Sequence, residues 1–330
     1  MEFGVMKKVD AFFRDNVFTF GSPVSFEGGM TQMQGKGNSF WLDGVNGSAN
    51  NDGRSPRKPF LNLTQALAAM TAKQHDTLYW IGGDTSVTDT AQVDWNKDYC
   101  HIVGIATPTT NARCKHTATS LTTLAGFKVS AKGCSFSNIR FWQGTNLAHC
   151  GAVEVTGSQN FFYGCSFFGQ VTTLAKAGAN SYSLFLNGAE ECKFVACTVG
   201  ADTVVRSDGA PLKLDGSCVR NIFKECLINS ACETAAKSLV KFVDTAAIDR
   251  YLMFDNCTFL NFSVNHANVI NEVFTIPASA ATHDIILKHC ASVGITQWAA
   301  NDRGSIWVIG GTPAAGIAGV GSTGIAVEPT

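Results

Sequence analysis

The chain has 330 residues, of which 45% are hydrophobic and only 15% charged, with a formal net charge of -1 at pH 7. That balance leaves no basic footprint for nucleic acid. It would also solvate a monomer poorly, so much of the surface is expected to be covered by other subunits.

Twelve cysteines would suit a secreted disulfide scaffold only in a short chain led by a signal peptide. Here Glu2, Lys7, Lys8 and Asp10 interrupt the first apolar residues, which argues against such a leader. No run of about 18 apolar residues offers a membrane span. The expectation is a protein assembled in a cytosol, with reduced thiols and no membrane insertion.

In chain order, residues 2–15 place Val5, Val9, Phe12 and Phe13 at helical spacing, ahead of an alternating stretch at 17–20. This predicts an N-terminal helix within an attachment or oligomerisation region, 1–39. Residues 40–53 (FWLDGVNGSANNDG) read as a short strand running into Asn/Gly turns. Residues 64–73 (TQALAAMTAK) are rich in helix formers and set Leu63, Leu67 and Met70 on one face. Residues 76–82 (DTLYWIG) and 99–104 (YCHIVG) each read as an apolar strand closed by glycine.

Beyond them a repeat sets in. The segments 162–167 (FYGCSF), 194–199 (FVACTV), 223–228 (FKECLI), 254–259 (FDNCTF) and 287–292 (LKHCAS) carry Cys165, Cys197, Cys226, Cys257 and Cys290, at spacings of 32, 29, 31 and 33 residues. A second strand precedes each of the first four, at 152–157, 183–188, 211–216 and 239–245, with Val155, Leu186, Leu214 and Val243 in equivalent places. An earlier copy is 127–129 followed by 136–141, where Ile139 replaces the cysteine. A later one is 273–276 before Cys290.

Two strands recurring in the same order at about 30 residues define a parallel β-solenoid of about eight coils, stacked about 4.8 Å apart. The fold class is therefore all-β, a single-stranded parallel β-solenoid over 40–312, with the 64–73 helix plugging its first coil. Phe162, Phe194, Phe223 and Phe254 and the five cysteines should stack as inward ladders, the thiols packing as small hydrophobes. Residues 304–327 carry no charge and alternate Gly with small residues. They predict an extended arm, ending in a 313–330 region with Ile317, Val320 and Ile325 as its apolar points.

The stretch FWLDGVNGSANNDGRSPRKPFLNLTQAL, from Phe40 to Leu67, resembles the lead-in of right-handed parallel β-helix proteins of the pectate-lyase-like superfamily. The resemblance lies in the strand ending at Asp43, in Asn46-Gly47-Ser48, Asn51-Asp52-Gly53, Ser55-Pro56 and Pro59-Phe60. Such lead-ins are common in bacteriophage virion proteins, including tailspikes and other head or tail appendages. The resemblance implies the fold well and the activity poorly.

Enzymatic candidates are few. Thr156, Asn187, Asp215 and Asp244 align at the ends of the upstream strands, so Asp215 and Asp244 on adjacent coils could form a carboxyl pair at the separation of a retaining glycosidase. Asn and Asp before a turn are also ordinary turn formers. The lyases of this fold have an acidic, calcium-binding groove; the nearest cluster here is Asp202, Arg206 and Asp208, which reads as a solvated loop, as does Glu190-Glu191. No cofactor is implied. Cys192 and Cys197 lack a second pair for a metal, Cys218, Cys226 and Cys232 read as interior, and His289 as outward. The corner at Ile309-Gly310-Gly311 leads into no helix, which argues against a phosphate loop.

The first functional expectation is a structural bacteriophage virion protein, a head decoration, fibre or tail appendage that assembles in the host cytoplasm. Its partners would be itself, as a homotrimer, and other virion proteins, with a host surface glycan as a further ligand. The rival is a tailspike-type depolymerase, a polysaccharide hydrolase or lyase; few residues flank the coils to supply its usual accessory modules. A bacterial surface adhesin is the third reading, weakened by the cysteine load.

Overall fold

The computed structural model describes residues 13–14, 17–18 and, within 37–310, all but 84–85, 119–124, 144, 150, 245, 263–269, 278–282 and 301–305. The chain forms two compact units, Met1–Gln34 and Gly35–Thr330. In the first, Phe13–Arg14 pairs antiparallel with Val17–Phe18. The expected helix therefore does not take in Phe13. Phe13 is instead the register partner of Phe18 in that pair, a place that suits an aromatic residue. Val5, Val9, Phe12, Ile317, Val320 and Ile325 lie outside the described residues.

The second unit is the parallel β-helix. Its strands stack into three sheets of ten, nine and eight members, each strand pairing in parallel with its counterpart in the next coil. The ten-strand sheet begins with Ser39–Asp43 and ends with Ile306–Ile309. Among the described residues one α-helix, Leu63–Ala69, interrupts the strands. Asn62 caps it, its side-chain oxygen accepting the Gln65 N–H at 2.9 Å. Leu63, Ala66 and Met70 are buried, and the helix packs on strands Ser39–Asp43, Val87–Asp89 and Val93–Trp95, closing the first coil. Among the described residues no helix is long and apolar enough to cross a membrane.

The interior is built from ladders. Phe136, Phe162, Phe194, Phe223 and Phe254 are direct partners in successive strands of the ten-strand sheet. Their rings stack at centroid separations of 4.8, 4.7, 4.5 and 5.0 Å. Cys165, Cys197, Cys226 and Cys257 are buried free thiols, and Cys290 is half-buried.

These cysteines stand at a corner between two sheets, whereas their segments read as single strands. Phe161–Tyr163 belongs to the ten-strand sheet and Ser166–Phe168 to the nine-strand sheet. The chain turns between them at Gly164, with φ +58°, and Ala196, Glu225, Asn256 and His289 hold the same left-handed conformation in later coils. The residue after each corner turns inward, as the buried Cys165, Cys197, Cys226 and Cys257 do and as Ile139 does after Asn138. Each thiol also reaches the carbonyl of a Phe in an earlier coil, as Cys165 does to Phe136 O at 3.4 Å and Cys226 to Phe194 O at 3.4 Å. From Phe162 onward the Phe and Cys ladders are thus one construction: a small, weakly donating hydrophobe beside each stacked ring.

In the eight-strand sheet Val155 pairs with Leu186 and Leu186 with Leu214, but Leu214 pairs with Phe242. The alignment through Val243 is off by one residue. Val243 is 41% exposed, whereas Phe242 fills the core.

Candidate functional site

That slip separates the carboxyl candidates. Asn187 pairs with Asp215, and the same register carried forward puts Val243, not Asp244, opposite Asp215. Each carboxylate caps its own turn, Asp215 accepting the Gly216 N–H and Asp244 the Ala246 N–H, both at 2.9 Å. Local turn chemistry accounts for both residues.

The Asp202, Arg206, Asp208 cluster also comes apart. Arg206 is buried, against the expectation of a solvated loop. Its guanidinium donates to Ser230 Oγ, to Gly209 O at 2.8 Å and to Ser238 O at 2.6 Å. Strand Val205–Arg206 folds back alongside Leu227–Cys232, pinning the loop that precedes it. Asp208 pairs instead with Lys237 at 2.7 Å. Glu191 bonds Arg220 and Gln159 on an exposed corner. Cys192, Cys218, Cys226 and Cys232 are buried and His289 is exposed. No cluster of three or more metal-binding side chains occurs among the described residues.

The arrangement with chemical potential lies on the outer side of the nine-strand sheet. Strand Ile139–Gln143 alternates, with Ile139, Phe141 and Gln143 buried and Arg140 and Trp142 turned outward. Parallel pairing sets Arg140 between Lys115 and Ser166, and Trp142 between Thr117 and Phe168. The Arg140 guanidinium carbon lies 4.7 Å from the Trp142 ring centroid and 5.0 Å from that of Phe168. Lys115 Nζ lies 5.0 Å from the Trp142 ring. The two aromatic faces thus hold cations by their quadrupoles.

Three cations gather here, and none of them is paired with a carboxylate among the described residues. Arg113, from the adjoining loop, is buried and donates to Ser166 Oγ. Among the described residues Arg113, Lys115 and Arg140 form no ion pair, and the Nε atoms of Arg113 and Arg140 have no hydrogen-bond partner. Burial lowers the pKa of Arg140; burial and then the Arg140 charge lower that of Lys115. An anion would relieve both penalties at once.

Two loops wall the place. One supplies Thr110 and Asn111, the other Asp202 and Thr203, and between them lies a groove of about 300 Å³ lined by Arg140, Trp142, Phe168 and Asn229. Among the described residues Asn229 Oδ1 is also buried without a partner. Among the described residues lining the groove, Asp202 is the single carboxylate. Sequence reasoning missed the site because its walls are loops between strands of one coil, which do not repeat from coil to coil. The one visible signal was Arg140-Phe141-Trp142, which sets two large outward side chains on a strand whose inward residues follow the repeat.

No protein-family model and no curated protein matches the chain. Solved structures do. The pectate lyase Pel9A is 13% identical, with 82% of this chain covering 68% of that one at a TM-score of 0.55. A rhamnogalacturonan lyase is 11% identical, with coverages of 78% and 68% and a TM-score of 0.50. The pectin methylesterase PemA from Erwinia chrysanthemi is 13% identical, with coverages of 82% and 80% and a TM-score of 0.50. At such identities the likeness is one of fold: this chain has the right-handed parallel β-helix architecture of the pectate-lyase-like proteins.

Proposed function

We propose that this chain binds an acidic polysaccharide in the groove around Arg140, as the glycan-contacting β-helix of a bacteriophage appendage. The observation that carries the binding is Arg140 itself. Its guanidinium is held between the rings of Trp142 and Phe168, half-desolvated, with Lys115 beside it and no carboxylate partner among the described residues. A planar fork fixed in advance is suited to a carboxylate, which it can take with two parallel hydrogen bonds. Thr110, Asn111, Thr203 and Asn229 supply neutral groups for sugar hydroxyls around it. The virion setting rests on the resemblance of residues 40–67.

Recognition fits this groove better than cleavage. Glycoside hydrolysis uses two carboxyl groups flanking the bond, and Asp202 stands alone. The test is calorimetry with uronate-containing and neutral oligosaccharides. The wild type should bind only the acidic ones, and Arg140→Met should lose about 1.5–3 kcal/mol, the worth of hydrogen bonds to a charged group. Asp202→Asn should bind at least as well. Equal binding of neutral sugars would overturn the reading; product release that vanishes in Asp202→Asn would replace it with the depolymerase.

A purely structural virion role is the second reading, favoured by the 15% charge content. It requires no glycan binding at all, and the same titrations separate the two.

A further inference from the structure

The groove around Arg140 extends well past its cationic end. On the nine-strand sheet one column of paired residues runs Lys115, Arg140, Ser166, Thr198 and Leu227. From Arg140 to Leu227 is three coils, about 14 Å at the coil rise. One pyranose ring does not reach across that span. The two ends differ in charge. Lys115 and Arg140 stand at the first, whereas Asp202, on the loop that follows Thr198–Val199, borders the second.

The second end has an unmet demand of its own. Asn229 is only 4% exposed and, among the described residues, its Oδ1 has no hydrogen-bond partner. Leu227 precedes it by two residues in strand Leu227–Cys232, on the same side of the sheet. Leu227 and Ala201 are apolar, half-buried and part of the groove wall. A ligand group that satisfies this end donates one hydrogen bond and lays a small apolar surface beside it. An acetamido group does both, with its N–H and its methyl. A sugar hydroxyl answers Asn229 but leaves Leu227 and Ala201 uncovered. A second carboxylate has no proton to donate and meets Asp202.

We propose that the groove takes a glycan in which uronates alternate with N-acetylated amino sugars, a uronate on Arg140 and an acetamido group on Asn229. This rests on the reading of the groove as an acidic-glycan site and adds what the other sugar of the repeat is. Asn229 then sets specificity, because a buried acceptor left unpaired rejects a ligand that lacks the donor. Asp202 works to the same end by disfavouring a second carboxylate, and only weakly, since it is exposed to water.

The test is calorimetry of the full chain with three tetrasaccharides: alternating glucuronate and N-acetylglucosamine, galacturonate alone, and N-acetylglucosamine alone. The wild type should bind the alternating one about tenfold tighter than the galacturonate one, although the latter carries twice the charge. Asn229→Leu replaces the unpaired acceptor with an apolar group of similar size. It should weaken the alternating ligand to the level of the galacturonate one and leave the latter unchanged. Asp202→Asn should strengthen galacturonate binding alone, a gain that no folding defect produces. Equal wild-type affinities for the two acidic ligands, or a preference that survives Asn229→Leu, overturn the inference and leave the acidic-glycan reading standing. Equal binding of the neutral ligand, or no binding of either acidic one, overturns both.

Discussion

Phe194 stands between Phe162 and Phe223 at centroid separations of 4.7 and 4.5 Å, and Phe167 meets it edge-on at 6.2 Å. A ring so enclosed has no neighbour free to collapse into the space it would leave. Phe194→Ala should therefore cost about 3–5 kcal/mol, lost transfer energy plus a cavity. Urea unfolding of the variant measures this, and a cost under about 1 kcal/mol would mean that the ladder yields as a loose stack does. The corner beside the ring carries its own strain. Ala196 and Glu225 hold φ near +51° and +55° despite their Cβ atoms, at about 1–2 kcal/mol each. Burial pushes the Cys165 and Cys197 thiols beside two of these corners well above the ordinary thiol range.

At the scale of the element, the ladders were legible because a solenoid repeats its inward residues, and Phe and Cys are conspicuous marks to count. The corners were not, because one left-handed residue turns the chain without a sequence requirement: Gly164, Ala196, Glu225, Asn256 and His289 all serve. The slip from Phe242 to Val243 arose where two adjacent apolar residues fit the same period. Strand Val205–Arg206 was hidden for another reason, since a lone Arg reads as solvated until its carbonyl partners are known.

The outer rungs hold one titrating construction that the repeat does not announce. Ser135 Oγ lies 2.7 Å from His101 Nδ1, and His101 Nε2 lies 3.1 Å from His75 Nδ1. The two rings are inclined by only 18° with centroids 5.4 Å apart. The centroid separation exceeds the nitrogen separation by about the width of one ring, so they meet edge to edge through a single N–H···N bond. That bond needs one bare nitrogen. Burial first, then the His75 charge, lowers His101 from 6.5 to about 4. A histidine depressed in this way contributes its stability in full above pH 6.5 and loses it as pH falls towards 4. The gap corresponds to about 3 kcal/mol at most. Wild type should thus lose more stability between pH 7 and pH 4.5 than His101→Asn does, by denaturant titration at each pH. Parallel losses would show that other groups carry the acid sensitivity.

On the scale of the whole β-helix, stability is passed from coil to coil, since each coil touches little beyond its two neighbours. The ends are then the places where unfolding starts. They are unequal among the described residues. At the first coil Leu63 and Ala66 are wholly buried by the capping helix. At the last, Val308 continues the inward column beyond Leu287 yet is 40% exposed. Leu63→Asp buries a carboxylate with no partner in the cap, and the helix should leave the coil sooner than accept it. Exposed edge and core would then fray from that end. Hydrogen exchange should show Ser39–Asp43 and Thr77–Ile81 losing protection first, while Cys218–Lys224, several coils away, keeps its own. Equal loss in all three strands would mean that the coils unfold as one cooperative body, and that the helix guards the whole stack and not its first turns.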